Sequence, residues 1–256
     1  MSINIQNLDF KYNSENLILE NINLDIKEGK ITSLIGANGC GKSTLLKIMS
    51  KNALIKKGDV YLNNTLISEY TLKEFAKKLA IVHQKNSAPD DLTVEKLVSY
   101  GRIPHKNILN TSNSKEDEEK INWAMEVMDV LDIKDKSVGR LSGGQRQRVF
   151  IAMALAQDTK ILFLDEPTTF LDVKYQVEIL RLVKKLNKEQ GITIVMVLHD
   201  INQALYYSDE IIALRKGNVY LQGEPSKIIN SKTIKDIYDI ELEVFDNNGN
   251  ICVLAI

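Results

Sequence analysis

Hydrophobic and polar residues alternate along the first part of the chain in short stretches that are typical of β-strands. One polar residue separates Ile3 from Ile5 and Leu8 from Phe10, and the same alternation returns at residues 22–26. Side chains in a strand point alternately to opposite faces, so this pattern predicts strands with one buried face each. We expect these first strands to pair antiparallel.

A different order of elements follows. Residues 31–35 lie between glycines and predict a buried strand, and the stretch 36–41 is rich in glycine. From Lys42 onward the apolar residues return at helical spacing, as Leu45, Leu46 and Ile48. This part of the chain therefore predicts a strand, a glycine-rich loop and a helix that begins near Lys42.

The middle of the chain has a helical pattern from Thr93 to about Ala156. Four apolar residues are predicted to share one helix face: Ile121, Met125, Met128 and Leu131. Before them, Ser114 and Asp117 have the spacing of a capping box, in which each side chain satisfies a backbone N–H at the start of a helix. We interpret this region as an inserted helical subdomain at about 89–156.

Strand patterns return at residues 161–164 and 192–198, with a helical pattern between them. The apolar residues of that helix are Val177, Leu180, Val183 and Leu186. Residues 210–214 and 219–221 flank a Lys-Gly-Asn turn and predict a closing hairpin. Alternation of strands and helices indicates a mainly parallel sheet with helices on both faces.

The predicted fold class is therefore α/β, with a mainly parallel sheet, an antiparallel β-subdomain and the inserted helical subdomain. The length of the chain fits one large domain with a small insertion. A C-terminal tail at 241–256 follows a short helix and includes a last pair of strands around Val244 and residues 251–254.

The amino-acid composition limits the classes of protein to which this chain can belong. Of the 256 residues, 44% are hydrophobic and 26% are charged, with 13 Gly and 4 Pro, which is typical of a soluble globular chain. The longest uninterrupted apolar run, residues 149–156, is far shorter than the roughly 18 to 20 residues that span a bilayer.

The net charge and the cysteine content exclude further classes of protein. The net charge is −1, from 33 basic and 34 acidic residues, so no global positive field favours nucleic acid or anionic lipid. Cys40 and Cys252 cannot form a disulfide framework. The N-terminus has no pattern of a secretory signal. We expect a location in the reducing cytoplasm.

The glycine-rich loop carries the strongest chemical signal, the pattern G-x-x-x-x-G-K-[ST] between a predicted strand and a predicted helix. Its glycines allow backbone N–H groups to converge on phosphate oxygens, Lys42 adds positive charge beside them, and Ser43 offers an oxygen to Mg²⁺. A purely structural glycine turn is the alternative, but it gives no reason for the Lys-Ser pair. The pattern predicts a P-loop NTPase core whose nucleotide-binding residues are Gly36, Ala37, Asn38, Gly39, Cys40, Gly41, Lys42, Ser43 and Thr44.

Two adjacent carboxylates end the strand predicted at 161–164. A P-loop requires a carboxylate that positions Mg²⁺, and Asp165 has the place for it. Alternating side-chain directions would let Glu166 reach the γ-phosphate side, where it can orient and deprotonate water. An acidic pair alone is typical of a solvated loop. Together with the P-loop, it predicts Asp165 as a metal ligand and Glu166 as the general base.

A third motif makes the family recognisable. Residues 141–145, Leu-Ser-Gly-Gly-Gln, resemble the signature sequence of ABC ATPases and precede Asp165 and Glu166 as they do in that family. Small residues and a hydroxyl that open a helix favour an anion, although Ser142 also has the place of an ordinary helix cap. The resemblance covers about residues 2–240. It implies that this motif contacts the nucleotide held by a second subunit, through Ser142, Gly143, Gly144 and Gln145.

The resemblance adds four further positions. It implies that Tyr12 stacks on adenine, that Gln84 contacts Mg²⁺ and the attacking water, and that His199 contacts the γ-phosphate. Asp172 matches the loop that passes between subunits, although Phe170 stands before it where small residues are commonest. The predicted catalytic residues are then Glu166, His199 and Gln84, and the predicted metal ligands are Ser43, Gln84 and Asp165.

A further segment points to the cargo. Gly101, Arg102, Pro104 and His105 resemble a Gly-Arg-x-Pro-His motif of ATPases that energise importers of ferric siderophores, haem and vitamin B12. In that family the helical insert receives the coupling helices of the membrane subunits, so Arg102 and His105 are candidate partner contacts. The alternative is a solvated turn made by Gly101 and Pro104.

Together these resemblances imply hydrolysis of ATP, with Mg²⁺, to drive import of an iron chelate or related metal compound. The implied partners are a second copy of the chain in a head-to-tail dimer, two permease subunits and, indirectly, a substrate-binding protein, with no nucleic acid. The implied place is the cytoplasmic face of the membrane, as a peripheral subunit. Two alternatives stay open: a soluble ABC ATPase acting in cluster assembly or on nucleic acid, and a regulatory module that binds ATP without hydrolysing it.

Overall fold

A computed structural model describes residues 2–12, 16–106, 114–247 and 250–254. The chain divides into two compact units. The first unit comprises Met1–Glu69 and Thr193–Ile256, and the second comprises Tyr70–Ile192. Within the described residues, no helix combines the length and the apolar character that crossing a membrane requires.

The first unit contains ten strands and four α-helices among its described residues. They are β1 (Ile3–Phe10), β2 (Leu19–Ile26), β3 (Ile31–Ile35), α1 (Lys42–Met49), β4 (Lys57–Leu62), β5 (Thr65–Leu66), β8 (Thr193–Val197), α7 (Ile201–Tyr207), β9 (Glu210–Arg215), β10 (Asn218–Gly223), α8 (Pro225–Ile228), α9 (Ser231–Tyr238), β11 (Glu243–Asn247) and β12 (Asn250–Leu254).

Three sheet regions organise this unit. One is antiparallel, in the order β2-β1-β4-β5. In the second, β9, β3 and β8 are parallel neighbours, and β10 pairs antiparallel with β9 as the predicted closing hairpin. All five residues of β3 are buried, which confirms the prediction for 31–35. The third region is the hairpin of β11 and β12 in the tail.

The second unit is mostly helical. Its elements are α2 (Leu72–Ala76), β6 (Leu79–Val82), α3 (Val94–Ser99), a 3₁₀ helix (Tyr100–His105), α4 (Lys115–Val127), two 3₁₀ turns (Leu131–Ile133 and Val138–Arg140), α5 (Gly143–Ala156), β7 (Ile161–Asp165) and α6 (Val173–Gln190). The strands β6 and β7 pair in parallel, with Val82 opposite Leu164.

The middle of the chain is helical, as predicted, but one residue assigned to the helix face lies outside the helix. Ser114 and Asp117 form the capping box at the start of α4. Ile121, Met125 and Met128 are buried, but α4 ends at Val127 and Leu131 belongs to a separate 3₁₀ turn. Asp129 has a φ of +55°, which ends helical backbone, so Leu131 does not share the helix face.

The parallel pairings, the antiparallel sheet and the helices confirm the predicted α/β fold class. The elements that were not predicted include β4, β5, α2 and α7. The proposed limits of the domain, 2–240 with a helical subdomain at about 89–156 and a tail at 241–256, stay a prediction. Residues 107–113 of that subdomain, and 248–249 and 255–256 of the tail, lie outside the described residues.

Candidate functional site

The glycine-rich loop of the first unit joins β3 to α1 through backbone that other residues rarely adopt. Gly36, Gly39 and Gly41 have φ values of +142°, +79° and +108°. A Cβ on Gly36 would lie 2.3 Å from the carbonyl oxygen of Leu214, so no side chain fits there. Gly41, the N-cap residue of α1, has no side chain that could accept a hydrogen bond from the first N–H groups of the helix. The first turn of α1 also has no acidic residue. The loop therefore suits an anion at the start of α1.

Lys42 turns back across this loop. It is 5% exposed, and its Nζ donates hydrogen bonds to the carbonyl oxygens of Gly36, at 2.8 Å, and of Ala37, at 3.0 Å. The Sγ of Cys40 lies 3.8 Å from the same nitrogen. The ammonium group is thus enclosed by the loop that is predicted to hold phosphate.

Two further predicted residues lie in the first unit. β3 and β8 are parallel neighbours, so the loop after β3 and His199 after β8 lie at the same edge of the sheet. His199 is exposed and directly precedes Asp200, the cap of α7. Tyr12 is 47% exposed and follows β1, where its ring packs edge-on against Phe10 at 5.0 Å between centroids.

One residue that contacts the glycine-rich loop was not predicted. Tyr238, the last residue of α9, has a hydrogen bond with the backbone of Gly36. Burial raises the pKa of Tyr238 to about 12, and the bond with Gly36 acts in the opposite direction. The two residues are far apart along the chain, and only the packing of α9 brings them together.

Gln84 and Glu166 meet in the second unit. They follow the parallel strands β6 and β7, whose carboxyl ends lie at one edge. The amide Nε2 of Gln84 donates to Oε2 of Glu166. Thr169 donates from Oγ1 to the same oxygen, at 3.1 Å. The structure therefore brings two predicted catalytic residues into contact and adds Thr169, which was not predicted to act on Glu166.

The backbone at Glu166 differs from the expectation. β7 ends at Asp165, and Glu166 has a φ of +52°, so strand alternation does not continue to it. The prediction that strand alternation directs the Glu166 side chain is therefore wrong, and a turn directs that side chain instead. Asp165 is 5% exposed at the strand end. Mg²⁺ prefers oxygen ligands. Asp165 offers a carboxylate, Ser43 a hydroxyl and Gln84 an amide oxygen, so the chemistry of these residues fits this ion.

The predicted signature residues open α5. Ser142 is its cap: the backbone N–H of Gln145 donates to Ser142 Oγ at 3.3 Å, and Ser142 N–H donates to Gln145 Oε1 at 3.2 Å. Gly144 is buried, and a Cβ there would lie 2.6 Å from the ring of Tyr175 in α6. Gly143 is exposed, with only Leu171 near. One glycine is thus required by packing, whereas the other is open to solvent.

The loop before α6 places Asp172 at the cap position of that helix, exposed and with no capping hydrogen bond from its side chain. Phe170, where small residues are commonest in the resembled family, is 87% exposed and has a φ of +64°. An aromatic residue rarely adopts this backbone.

The prediction that Arg102 contacts a partner is wrong for this structure. The side chain is 2% exposed, and its Nε donates to Asp117 Oδ1 at 2.7 Å. The solvated turn that was the alternative is also wrong, because Gly101 is buried. His105 is half-buried, with Nε2 2.9 Å from the carbonyl oxygen of Gln157.

Comparisons with known proteins place these residues in context. A protein-family model described as "ABC transporter" matches residues 19–169. The chain is similar to the iron(3+)-hydroxamate import ATP-binding protein of Bacillus subtilis, with 46% identity over 255 residues, 98% of this chain and 94% of that protein. It is 44% identical to the ferric enterobactin transport ATP-binding protein of Escherichia coli, over 90% of this chain and 84% of that protein.

A solved structure shows the same likeness in three dimensions. The dimeric structure of a bacterial ABC transporter cassette has a TM-score of 0.76 and 32% identity to this chain. The superposition covers 87% of this chain and 98% of the cassette chain. The P-loop, the pair of carboxylates and the helix opened by Ser142 all lie within residues 19–169, which the family model matches.

Proposed function

This chain belongs to the ABC transporter family as an ATP-binding subunit, and on that premise we propose that it hydrolyses ATP to energise import of a ferric siderophore or a related metal chelate, such as haem or cobalamin. The proposal for the cargo is supported by relatives named for import of iron hydroxamate and transport of ferric enterobactin, which match nearly the whole chain. The observation that carries the proposal for hydrolysis is the contact of Gln84 and Thr169 with one oxygen of Glu166.

The P-loop binds the phosphates in this proposal. Residues 36–44 present backbone N–H groups at the start of α1, and Lys42 places its charge beside the terminal phosphates. Gly36 is tied down by the close approach of Leu214 and by Tyr238, so the loop is preorganised. A preorganised positive site stabilises charge without reorganising during the reaction.

Glu166 acts as the general base. Its carboxylate accepts a proton from the water that attacks the terminal phosphate, while Gln84 and Thr169 fix its position. Fixing the base lowers the entropy that is lost on reaching the transition state. His199, exposed at the same sheet edge as the P-loop, contacts the γ-phosphate, and Tyr12 stacks on adenine.

Ser43, Gln84 and Asp165 would hold Mg²⁺, since they offer the hydroxyl, amide and carboxylate oxygens that this ion takes. When bound, Mg²⁺ supplies positive charge to the phosphate oxygens and so favours the charge distribution of the transition state. The chain's own task is to orient these oxygens, and the burial of Asp165 at the end of β7 restricts its motion.

A second copy of the chain completes each site. In the proposed head-to-tail dimer, each P-loop faces the residues Ser142, Gly143, Gly144 and Gln145 of the other copy, with Asp172 at the passage between them. The dimeric cassette with a TM-score of 0.76 supports such pairing. ATP then favours the closed pair, and hydrolysis lets the copies part.

Separate membrane chains supply the pore. We expect two permease subunits, with a substrate-binding protein acting through them and no nucleic acid partner. The chain then works as a peripheral subunit at the cytoplasmic face of the membrane. The domain that does this work is proposed to be 2–240, with the helical subdomain at about 89–156 and the tail at 241–256.

The test is isolation of the chain from detergent-extracted membranes, followed by reconstitution of the complex in vesicles with its binding protein. We expect two polytopic subunits to co-purify and ATP to drive uptake of an iron chelate. A complex with Lys42→Met should take up none, whereas Lys47→Ala, at an exposed residue of the same helix, should behave as wild type. Co-purification with a soluble scaffold or with ribosomes would favour the soluble ABC ATPase instead. Binding of ATP without turnover would favour the regulatory module.

A further inference from the structure

The segment Tyr100–His105 lies directly against the last turn of α5. A Cβ added to Gly101 would lie 2.1 Å from the carbonyl oxygen of Met153 and 3.1 Å from the Cβ of Ala156. A contact of 2.1 Å with backbone cannot be relieved by a small shift, so only glycine permits this approach. The glycine of the motif therefore serves contact with α5.

Arg102 extends this contact through a buried network. Its Nε donates to Asp117 Oδ1 at 2.7 Å, and its Nη1 donates to the carbonyl oxygen of Ala156 at 2.9 Å. The other oxygen of Asp117 accepts from Ser114, from the backbone N–H at 3.0 Å and from Oγ at 2.9 Å. One guanidinium group thus joins the first turn of α4 to the last turn of α5.

The charge on Asp117 is maintained in this network. Burial by itself would raise the pKa of Asp117, but the hydrogen bonds from Arg102 and Ser114 outweigh burial and lower that pKa to about 2. Removing one partner of such a buried pair leaves the other charge without compensation.

His105 holds the next carbonyl of the same helix end. Its Nε2 lies 2.9 Å from the carbonyl oxygen of Gln157, and because a carbonyl only accepts, the imidazole donates. The side chain of Gln157 donates in turn to the carbonyl oxygens of Leu79, at 3.0 Å, and Ala76. No basic residue lies in the last turn of α5 itself. Arg102 and His105 supply the donors that favour a helix C-terminus.

The other end of α5 carries Ser142 and the signature residues. We propose that Arg102 and His105 are positioning residues, which hold the C-terminal end of α5 and thereby set where the signature residues lie for the nucleotide of the partner copy. This inference rests on the proposed function. The 14 residues of α5 form a rod about 21 Å long, so a tilt of about 5° at one end displaces the other by about 2 Å. A displacement of about 1 Å can cost about 100-fold in rate.

The experiment compares variants of the full chain in three assays: binding of a fluorescent ATP analogue, steady-state hydrolysis, and ATP-dependent dimerisation in a Glu166→Gln background. For Arg102→Gln we expect nucleotide affinity within about twofold of wild type, with dimerisation and kcat reduced tenfold or more. Arg102→Lys keeps the charge but replaces the planar fork of donors with one compact ammonium group, so it should give an intermediate loss. His105→Phe should act in the same direction.

Two controls separate positioning from stability. Lys120→Gln removes an exposed ion pair with Asp158, just beyond the same end of α5, and should change kcat less than twofold. Val60→Ala creates a cavity in the antiparallel sheet of the first unit. It should lower the melting temperature but leave dimerisation intact at the assay temperature.

Each outcome bears on one of the two proposals. If the wild-type chain neither hydrolyses ATP nor dimerises with it, the proposed function fails. If wild type does both and the folded Arg102 and His105 variants match it, the positioning inference alone is overturned. The same holds if the Arg102 and His105 variants lose dimerisation only at temperatures at which they also begin to unfold. Should Arg102→Gln not fold, Arg102→Lys and His105→Phe decide the question.

Discussion

The side-chain amide of Gln84 donates a hydrogen bond to Oε2 of Glu166, although 82 positions separate the two residues along the chain. Parallel pairing of β6 with β7 brings their carboxyl ends together and makes this contact possible. The proposed base is therefore held by a residue that follows the neighbouring strand. A substitution at Gln84 should change how the carboxylate of Glu166 is positioned.

Replacement of Gln84 by alanine should lower kcat about tenfold or more with little change in nucleotide affinity, because it releases the base rather than the phosphates. Steady-state hydrolysis and binding of a fluorescent ATP analogue measure the two effects separately. Asn86→Ala is the matched control, since the Asn86 amide donates to the carbonyl of His83, and its kcat should stay within twofold of wild type. An unchanged kcat in Gln84→Ala would show that the contact has no part in turnover.

Lys42→Met should weaken ATP binding about tenfold or more, because a charge-assisted hydrogen bond contributes about 1.5 to 3 kcal/mol. Titration with a fluorescent ATP analogue measures the loss. Lys47→Ala removes an exposed charge from the same helix and should bind as wild type. Equal affinities for wild type and Lys42→Met would contradict the role given to the P-loop.

The two signature glycines should respond differently to alanine. Gly144→Ala places a methyl 2.6 Å from the Tyr175 ring and should cost about 1 to 3 kcal/mol of folding free energy through overpacking. In Gly143→Ala the nearest atom is 3.4 Å away, an ordinary contact, so the change should be within about 0.5 kcal/mol. Urea unfolding measures both, and equal midpoints would refute the packing argument.

Asp117 should make stability depend on pH in a defined direction. Its pKa falls from 3.8 to about 2 in the folded chain, so its contribution is present above about pH 4 and is lost as pH falls towards 2. That contribution is about 2 kcal/mol. The gap in unfolding free energy between wild type and Asp117→Asn should therefore narrow between about pH 4 and pH 2. Asp158→Asn, at an exposed ion pair, should show a small gap throughout, and a wide gap that persists to pH 2 for Asp117→Asn would be inconsistent with the network.

The parts of this molecule that sequence alone predicts are those that local spacing determines. The loop at 36–41 lies between a buried strand and a helix, and the helix is recognisable from the spacing of its apolar residues. The capping box of Ser114 and Asp117 depends only on two residues three positions apart. Thr71 and Glu74 form a similar box at the start of α2, a readable signal for a helix that was not predicted.

Other features depend on contacts that spacing does not encode. A basic residue such as Arg102 is usually exposed, and only its pairing with Asp117 and the Ala156 carbonyl makes burial tolerable. Tyr238 reaches Gly36 through the packing of α9. At Glu166, a φ of +52° ends the alternation that strand geometry suggested. In each case a tertiary contact or a turn outweighed the local pattern.

Release of phosphate from Mg²⁺-ATP, measured for wild type and Glu166→Gln, shows whether this chain hydrolyses ATP with Glu166 as its base. Gln has nearly the same shape as Glu but cannot accept the proton of the attacking water. We predict that Glu166→Gln binds ATP as wild type does and loses steady-state turnover by about 100-fold or more. Turnover close to that of wild type would contradict it.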